Sequence, residues 1–485
     1  MKNDQVKLFD NLTHEVVADI HGFKLCTYLV ALEGWRRGLS LKFYKDETDL
    51  CKLDRLNSST HGKFFSLSSA KQTHYFFRSR GDLVANKTVR ICQNKEKTKE
   101  LLQKSNVPVP LGKEFNINNQ DEIINYAESI GYPVVLKPLS GSMGKGVYMD
   151  INNKEQLKDA IENAQSTYRY TKYLLEKYYP GKEYRVYVVG DKVIGATNRI
   201  PANIVGDGKS TVRALIEKKN NERKKNPYLA PKPIKVDYEV ENCLEKVGYT
   251  LDSIPKDGET VFLRVKSNLS SGGDPIEATD ELTEEVQQIA INSLKALPSI
   301  PHAGVDIIVD PEDSRNAVVL EINATAEIGF HSFPIKGEAK DVPGAIIDYY
   351  FPETKGKVKS DFYFDYNSLL EPLKTWAAEE ILIPKPPVEK VYGKKYTVTG
   401  KLHRVGYMNW IRRQALRRNL IGYVKKISKN KMEVYVFGQE KSKVDQFAEL
   451  CQKGSRRSKV KSMEETLIDI ADYKPLKLGF ELVFS

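Results

Sequence analysis

The stretches Gly304-Val-Asp306-Ile-Ile-Val309 and Val319-Leu-Glu321-Ile-Asn323 are the part of the sequence that decides the fold. Each is a short run of β-branched and aliphatic residues, which is the pattern of a buried strand. Period-two geometry places Glu321 and Asn323 on one face of their strand. A carboxylate inside such a run costs free energy unless it is paired, so acidic strand ends that only face solvent are the weaker interpretation. Asp306, Glu321 and Asn323 therefore predict a site for a hard cation such as Mg²⁺.

A second motif lies upstream, where Val134-Val-Leu-Lys137-Pro138 leads into Ser140-Gly-Ser-Met-Gly-Lys-Gly146. Glycines let such a loop fold closely over phosphates and offer backbone N–H groups to them. Lys137, at the end of the preceding strand, can place a point charge on a phosphate. The loop is neither a Walker A motif nor a dinucleotide-binding fingerprint. By itself it predicts a phosphate-binding loop and a flexible turn about equally.

Arginines near another glycine-rich turn form the third motif. Arg185, Arg199 and Arg264 are followed by Asn268-Leu-Ser-Ser-Gly-Gly273. Acyl phosphates and tetrahedral adducts are anionic, and arginine forks and backbone N–H groups can stabilise both. Each arginine alone also fits an ordinary basic surface.

The composition excludes several classes of protein. No run of 18 apolar residues is present, so no segment predicts a membrane-spanning helix, and the first residues lack the apolar core of a secretory signal. The five cysteines are scattered without a CxxC pair, which indicates neither a zinc site nor a disulfide framework. These features predict a cytoplasmic protein.

Charge is distributed unevenly along the chain. The net charge is +11, yet residues 391–485 contain 21 lysines and arginines against 9 acidic residues. The basic character therefore belongs to the C-terminal region. Such an asymmetry indicates either an anionic partner or a solvated basic surface.

In their order along the chain, these motifs resemble those of the ATP-grasp ligases. Residues 93–352 are similar to the ATP-grasp portion of cyanophycin synthetase and of the bifunctional glutathione synthetases. The segments that show the similarity are Asn106-Val-Pro-Val-Pro110, Tyr132-Pro-Val-Val-Leu-Lys-Pro138, Tyr184-Arg-Val-Tyr-Val-Val189, Arg199-Ile-Pro-Ala202, Gly206-Asp-Gly208, Leu263-Arg264, Asn268–Gly273, Thr279-Asp280, Gly304-Val-Asp306 and Glu321-Ile-Asn323-Ala324.

The resemblance implies the cofactors ATP and Mg²⁺ (or Mn²⁺) and a set of site residues. The implied nucleotide-binding residues are two phosphate lysines, the glycine loop, an adenine-contacting glutamate and a ribose-binding glutamate: Lys95, Lys137, Ser142, Gly144, Gly146, Glu176 and Glu183. The implied metal ligands are Asp306, Glu321 and Asn323. The groups implied to hold an acyl phosphate are Arg199, Arg264 and Asn268.

Two departures from these families limit what the resemblance implies. The chain has neither the Mur-ligase-like half of cyanophycin synthetase nor the glutamate–cysteine ligase half of the glutathione enzymes, so neither product is assumed. The Glu321-Ile-Asn-Ala-Thr-Ala326 segment also lacks the usual proline and glycine, which alters the expected acceptor loop. His331 matches a family position, and a structural role is the simpler interpretation for it.

Residues 393–485 resemble acylphosphatase, in segments such as Val398-Thr-Gly-Lys-Leu-His-Arg-Val-Gly-Tyr407. The family's phosphate-binding arginine falls at Met408, its water-positioning asparagine at Lys426 and an early loop glycine at Arg404. Methionine cannot bind an anion, so the resemblance implies a ferredoxin-like domain without hydrolytic activity. Such a domain either recognises an acidic partner or has a structural role.

These observations together predict an α/β and α+β protein. An N-terminal α/β domain (1–92) precedes an ATP-grasp fold (93–352), and a proline-rich linker (353–391) leads to an acylphosphatase-like ferredoxin domain (392–485). The predicted activity is ADP-forming amide synthesis from small amino-acid or peptide substrates through an acyl phosphate. Alternatives are a ligase that loads an amino acid onto an acidic carrier protein, and a non-catalytic nucleotide sensor with a nucleic-acid-binding tail. We expect no membrane contact, and homo-oligomers are in keeping with the resemblance.

Overall fold

The computed structural model describes residues 7–9, 11–45, 53, 62–139, 146–388 and 390–484. None of the helices in these ranges combines the length and the apolar character that crossing a bilayer requires. The described residues form mixed α/β structure around several β-sheets. The central sheet has its own hydrophobic core, and the N-terminal sheet shares a core with the C-terminal domain.

The N-terminal domain is built on one buried helix and an antiparallel sheet. Helix α1 is apolar on nearly all sides and is buried along most of its length, and it ends before Gly38, whose φ is +85°. The elements of this domain, in chain order, are α1 (Phe23–Arg36), β1 (Ser40–Tyr44), β2 (Phe64–Ser68), β3 (Thr73–Phe77) and β4 (Arg80–Gly81).

Two short helices lead into a four-stranded sheet with the strand order β5-β8-β6-β7. Asn94 begins the second helix, because its side chain accepts the Lys97 N–H at 3.1 Å. The elements are α2 (Asn86–Gln93), α3 (Lys95–Lys104), β5 (Gly112–Asn116), α4 (Gln120–Ile130), β6 (Val134–Pro138), β7 (Tyr148–Ile151), α5 (Lys154–Thr167) and β8 (Lys172–Lys177).

The central sheet is antiparallel, with the order β13-β10-β9-β14-β15. One face of it packs apolar residues such as Val186, Val305 and Val319 against α8. A small two-stranded antiparallel sheet of β11 and β12 lies beside this sheet with its own helices. The elements are β9 (Lys182–Val189), β10 (Lys192–Ile200), β11 (Asn203–Val205), α6 (Val212–Arg223), α7 (Tyr238–Lys246), β12 (Thr260–Phe262), β13 (Asp274–Glu277), α8 (Glu284–Lys295), β14 (His302–Val309) and β15 (Ala317–Asn323).

Residues 353–391 differ from the predicted linker, because most of them belong to the N-terminal fold. They follow α9 (Gly329–Ser332) and α10 (Val342–Tyr350) and form β16 (Phe362–Tyr363), α11 (Tyr366–Lys374) and β17 (Glu380–Ile383). Strand β17 pairs with β1, and the Phe364 ring lies 5.2 Å from the rings of both Tyr28 and Trp35. These aromatic residues close a core that the first ninety residues cannot close alone. The proline cluster after β17 leads into the C-terminal domain.

The C-terminal domain has the predicted ferredoxin-like βαββαβ order, with strands arranged β21-β18-β20-β19-β23. Two helices cover one face of this sheet. The other face places Ile421, Tyr435 and Phe437 in the core of the N-terminal domain. The elements are β18 (Tyr392–Lys401), α12 (Tyr407–Leu416), β19 (Ile421–Lys426), β20 (Lys431–Gly438), α13 (Lys441–Lys453), β21 (Lys459–Leu467), β22 (Leu476–Lys477) and β23 (Phe480–Phe484).

The shared core predicts that a C-terminal substitution destabilises the whole protein. Phe437 is buried and its ring lies 5.8 Å from that of Tyr473. We expect Phe437→Ala to lower the free energy of unfolding in urea by about 3–5 kcal/mol. The control Phe484→Ala, at a residue that is 70% exposed, should change it by less than about 0.5 kcal/mol. A loss below about 1 kcal/mol for Phe437→Ala would contradict the shared core.

Candidate functional site

A row of four polar residues crosses the central sheet on the face opposite α8. Thr197 on β10 pairs with Arg185 on β9, Arg185 pairs with Asp306 on β14, and Asp306 pairs with Glu321 on β15. Residues directly opposite each other in a ladder point to the same face. The register therefore places these four polar side chains next to one another on one face of the sheet.

Asp306 is the centre of this row and is paired with two arginines. Arg185 donates through Nη2 to Asp306 Oδ2 at 2.9 Å and through Nε to Oδ1. Arg199 Nη2 lies 3.1 Å from Asp306 Oδ2. Burial by itself would raise the pKa of the Asp306 carboxyl, but the two arginines outweigh burial and hold that pKa well below its usual range. Asp306 is therefore ionised.

The predicted metal ligands occupy neighbouring register positions. Glu321 lies opposite Asp306, and the Asn323 side-chain amide donates to Glu321 Oε1 at 3.0 Å. Within the described part of the chain, no three His, Cys, Asp or Glu side chains form a metal-binding group, and the third predicted donor here is an amide. Two carboxylates and an amide oxygen are the donor types that fit Mg²⁺.

A cleft beside the row contains the predicted phosphate lysines. Lys137 Nζ lies 2.5 Å from Glu176 Oε2, and Lys95 is half-buried close to both residues. Burial and the charge of Lys137 lower the pKa of the Lys95 ammonium. The cleft is lined by Cys92, Lys95, Thr98, Lys99, Leu102, Val109, Pro110, Lys137, Glu176, Val319, Leu320 and Glu321. The cleft is therefore apolar at one end, and Glu321 of the row lies in its wall.

Lys99 is a residue of this cleft that the sequence analysis did not identify. Its Nζ donates to Glu176 Oε1 at 3.2 Å and to the carbonyl oxygen of Gly112 at 3.2 Å. Burial would raise the pKa of Glu176, but Lys137 and Lys99 lower it. The spacing of Lys95 and Lys99, one helical turn apart, was the available signal.

The other predicted site residues have partners of their own. Glu183 binds Arg199 and the hydroxyl of Ser267. Arg264 is paired instead with Asp237, at 2.6 Å, and with Glu239. Asn268 accepts the Ser270 N–H at 3.1 Å and so shapes its own turn. Gly146 precedes β7 with a φ of +69°, whereas Ser142 and Gly144 lie outside the described residues.

A buried ion-pair network was also missed in the sequence. Asp274, at the start of β13, lies 2.5 Å from Lys219 Nζ and 2.8 Å from Arg223 Nη1. Asn203 donates to the same carboxylate at 3.0 Å. The network ties the glycine-rich turn before β13 to α6. The four residues are spread over more than 70 positions, so no local pattern could reveal them.

His331 packs on the polar face of the sheet. Its Nδ1 lies 3.1 Å from the Thr197 hydroxyl, and its ring lies 5.9 Å from that of Tyr187. Burial, together with the positive charge of Arg185, lowers the pKa of His331 to about 3. His331 is therefore a neutral group within the packed site.

Comparisons with known proteins agree with this geometry. Residues 94–203 match the family "Carbamoyl-phosphate synthase L chain, ATP binding domain", and residues 394–480 match "Acylphosphatase". A cyanophycin synthetase from Nostoc sp. is 36% identical over 278 residues, which are 56% of this chain and 30% of that protein. The glutathione biosynthesis bifunctional protein GshAB of Clostridium perfringens is 31% identical over 338 residues, or 68% and 41% of the two chains.

This chain therefore spans less than half the length of these curated relatives. Among solved structures, a bifunctional glutathione synthetase from Pasteurella multocida is 28% identical with a TM-score of 0.47, covering 62% of this chain and 41% of that one. The acylphosphatase of Bacillus subtilis is 23% identical with a TM-score of 0.17, covering 19% and 98%. The predicted resemblances are confirmed, as is an ATP-grasp fold followed by a ferredoxin-like acylphosphatase domain.

The buried histidines predict a pH dependence of stability. Burial lowers the pKa of both His302 and His331 to about 3. Below about pH 6.5 the unfolded chain binds protons that the folded one does not, so stability is full above that pH and falls beneath it. We expect a loss of about 1.4 kcal/mol per pH unit for each histidine between pH 6 and 5. Urea unfolding measures this loss.

His302→Gln should halve the slope that the two histidines produce, whereas His14→Gln, at an exposed position, should leave it unchanged. An unaltered slope in the His302 variant would show that this ring accepts a proton in the folded state.

Proposed function

We propose that the chain is an ADP-forming ligase that joins a carboxylate to an amine through an acyl phosphate. The observation that supports this most directly is the row on the central sheet, where Arg185, Asp306 and Glu321 lie next to one another. The row opens onto a cleft that contains three lysines. Cations and carboxylates alternate there, as the transfer of a phosphoryl group between anions requires.

ATP would be bound in the lysine cleft. Lys95 and Lys137 supply positive charge for the phosphates, together with backbone N–H groups of the loop that contains Ser142, Gly144 and Gly146. Glu176 is proposed to face the base and Glu183 the ribose hydroxyls. Because Lys137 and Lys99 both pair with Glu176, nucleotide binding competes with these ion pairs for the lysines.

A divalent cation would be held by Asp306, Glu321 and Asn323. Mg²⁺ neutralises the charge of the nucleotide phosphates when it is bound. Asp306 contributes a carboxylate that the arginines keep ionised at neutral pH, and Glu321 adds a second on the adjacent strand. Mn²⁺ would fit the same oxygen donors.

The acyl phosphate is proposed to form from a carboxylate that attacks the γ-phosphorus of ATP, with ADP as the leaving group. Arg199, Arg264 and Asn268 would hold the product of this step. The chemistry needs no covalent protein nucleophile, because positioning, charge and exclusion of water suffice. The substrates are proposed to be amino acids or peptides, since the relatives are named for cyanophycin and glutathione.

For the C-terminal domain we propose a structural role without hydrolysis. Met408 packs in the core of that domain, where a thioether cannot bind a phosphate. The sheet face that contains Tyr435 and Phe437 is buried against the N-terminal domain. A domain held in this way stabilises the ligase and need not act on its intermediate. We place the whole protein in the cytoplasm.

The proposed activity predicts ADP release that depends on both substrates. The full chain is incubated with ATP, Mg²⁺ and the twenty protein amino acids, singly and in pairs, and ADP is followed by a coupled assay. Glu321→Ala should lower the rate by roughly 100-fold, because several kcal/mol of charge stabilisation are lost. Glu312→Gln, at an exposed carboxylate on the turn after β14, is the matched control and should retain the rate. An unchanged rate of ADP release in Glu321→Ala would contradict the proposed role of Glu321 in the site.

A further inference from the structure

A polar cluster lies beyond the row, where the loop after β15 meets residues 226–232 and α1. We call Glu327, Tyr228, Lys232 and Cys26 the Glu327 cluster. Tyr228 donates its hydroxyl to Glu327 Oε2, and Lys232 Nζ donates to the same oxygen at 3.2 Å. Lys232 Nζ also lies 3.3 Å from the centre of the Tyr228 ring. One oxygen of the carboxylate is thus held by two donors.

The second oxygen of this carboxylate is available. Among the residues that the structure describes, none donates to Glu327 Oε1, because both hydrogen bonds of the side chain end on Oε2. The Glu327 side chain is 24% exposed, so a small group can reach it from solvent. A carboxylate that is positioned through one oxygen and open at the other is arranged to accept a hydrogen bond from a ligand.

The cluster borders the polar row on the central sheet. Ala326 packs so closely on β14 that a Cβ at Gly304, two residues before Asp306, would lie 2.8 Å from the Ala326 Cβ. The loop is held there because Ser79 donates to the Ala326 carbonyl at 2.7 Å and the Ile328 N–H donates to Cys26 Sγ at 3.4 Å.

Two unsatisfied polar atoms lie in the short helix that follows Glu327. His331 Nε2 and Ser332 Oγ are buried, and neither atom has a hydrogen-bond partner within the described ranges. The first residue of that helix, Gly329, packs directly against the Tyr228 ring. Buried polar atoms normally have partners, so unsatisfied ones next to a reactive row indicate a place for substrate atoms.

We propose that Glu327 binds the ammonium group of the amine substrate and accepts its proton. This inference rests on the proposed ligase function. An ammonium group has no lone pair, so it must lose a proton before it can attack. One proton passes to Glu327 Oε1, and the freed nitrogen lone pair forms the C–N bond. The acyl C–O bond breaks, and phosphate leaves with its electron pair and takes the second proton from the nitrogen. Tyr228 and Lys232 act as positioning residues through Oε2.

The surroundings of Glu327 suit this role. The titratable groups that face it are Tyr228 and Lys232 from the 226–232 segment, Cys26 from α1 and Arg78 from the end of β3. Tyr228 and Lys232 hold Oε2, and Oε1 is left to accept a hydrogen bond from an ammonium group. The substrate class that fits is a primary amine, supplied by an amino acid or a peptide.

Hydroxylamine separates the role of a base from that of a scaffold. It is neutral at pH 7 and captures an acyl phosphate as a hydroxamate without a base. Each amino acid is therefore supplied with ATP and Mg²⁺, and either hydroxylamine or a second amino acid serves as the amine. The measured quantity is the ratio of amide to hydroxamate formation, in kcat/KM, for wild type and for Glu327→Gln.

We expect this ratio to fall by about 100-fold in Glu327→Gln and by about 10-fold in Lys232→Met, because a general base contributes at least that much. The deficit should shrink as the pH rises from 7 to 9, since more of the amine is then already neutral. Glu312→Gln is the control and should keep the ratio of the wild type. Thermal melting checks that each variant is folded, and Lys232→Met serves as the second variant.

A ratio of amide to hydroxamate that does not change in Glu327→Gln, whether both rates fall equally or neither falls, would overturn this proposal and leave the ligase function standing. If wild type forms neither product, the ligase function fails and this inference fails with it, so the two failures are distinguishable.

Discussion

The buried ion pair between Asp306 and Arg185 is the interaction on which the site depends. Both groups lie on the central sheet, away from solvent, where an unpaired charge would cost several kcal/mol. The register of β9 and β14 brings them together, and Arg199 adds a second positive charge to the same carboxylate. A slip of one residue in either strand would turn the charges to the apolar face against α8. The strand register and the pairing of these charges therefore depend on each other.

The N-terminal domain contacts the loop that follows β15 and helps to hold it in place beside the central sheet. Its Ser79 and Cys26 hold the loop that follows β15, so the loop cannot leave the polar face without breaking contacts to another domain. That domain is completed by residues from much later in the chain, because β17 forms the edge strand next to β1. The aromatic residues around Phe364 supply the apolar area that makes this closure favourable.

The C-terminal domain belongs to the same structural unit. Its sheet has helices on one face and the N-terminal core on the other, and β22 pairs in parallel with β16. An acylphosphatase-like sheet that is covered on both sides gains stability from the contact but loses freedom to move as a separate module. The basic surface remains on its outer helix, where Arg412, Arg413 and Arg417 are exposed.

The sequence by itself determined the elements and the residue types of the site. Runs of strand-forming residues around Asp306 and Glu321 predicted two strands, because such patterns are local properties of the chain. The ATP-grasp fold followed from the resemblance of the motifs and their order to those of known ligases. Only the tertiary structure decided which of these residues meet. It pairs Lys99 with Glu176, leaves Arg264 with Asp237, builds the predicted linker into the first sheet and opens one oxygen of Glu327. These outcomes depend on contacts between residues tens to hundreds of positions apart, and no pattern along the chain encodes such contacts directly.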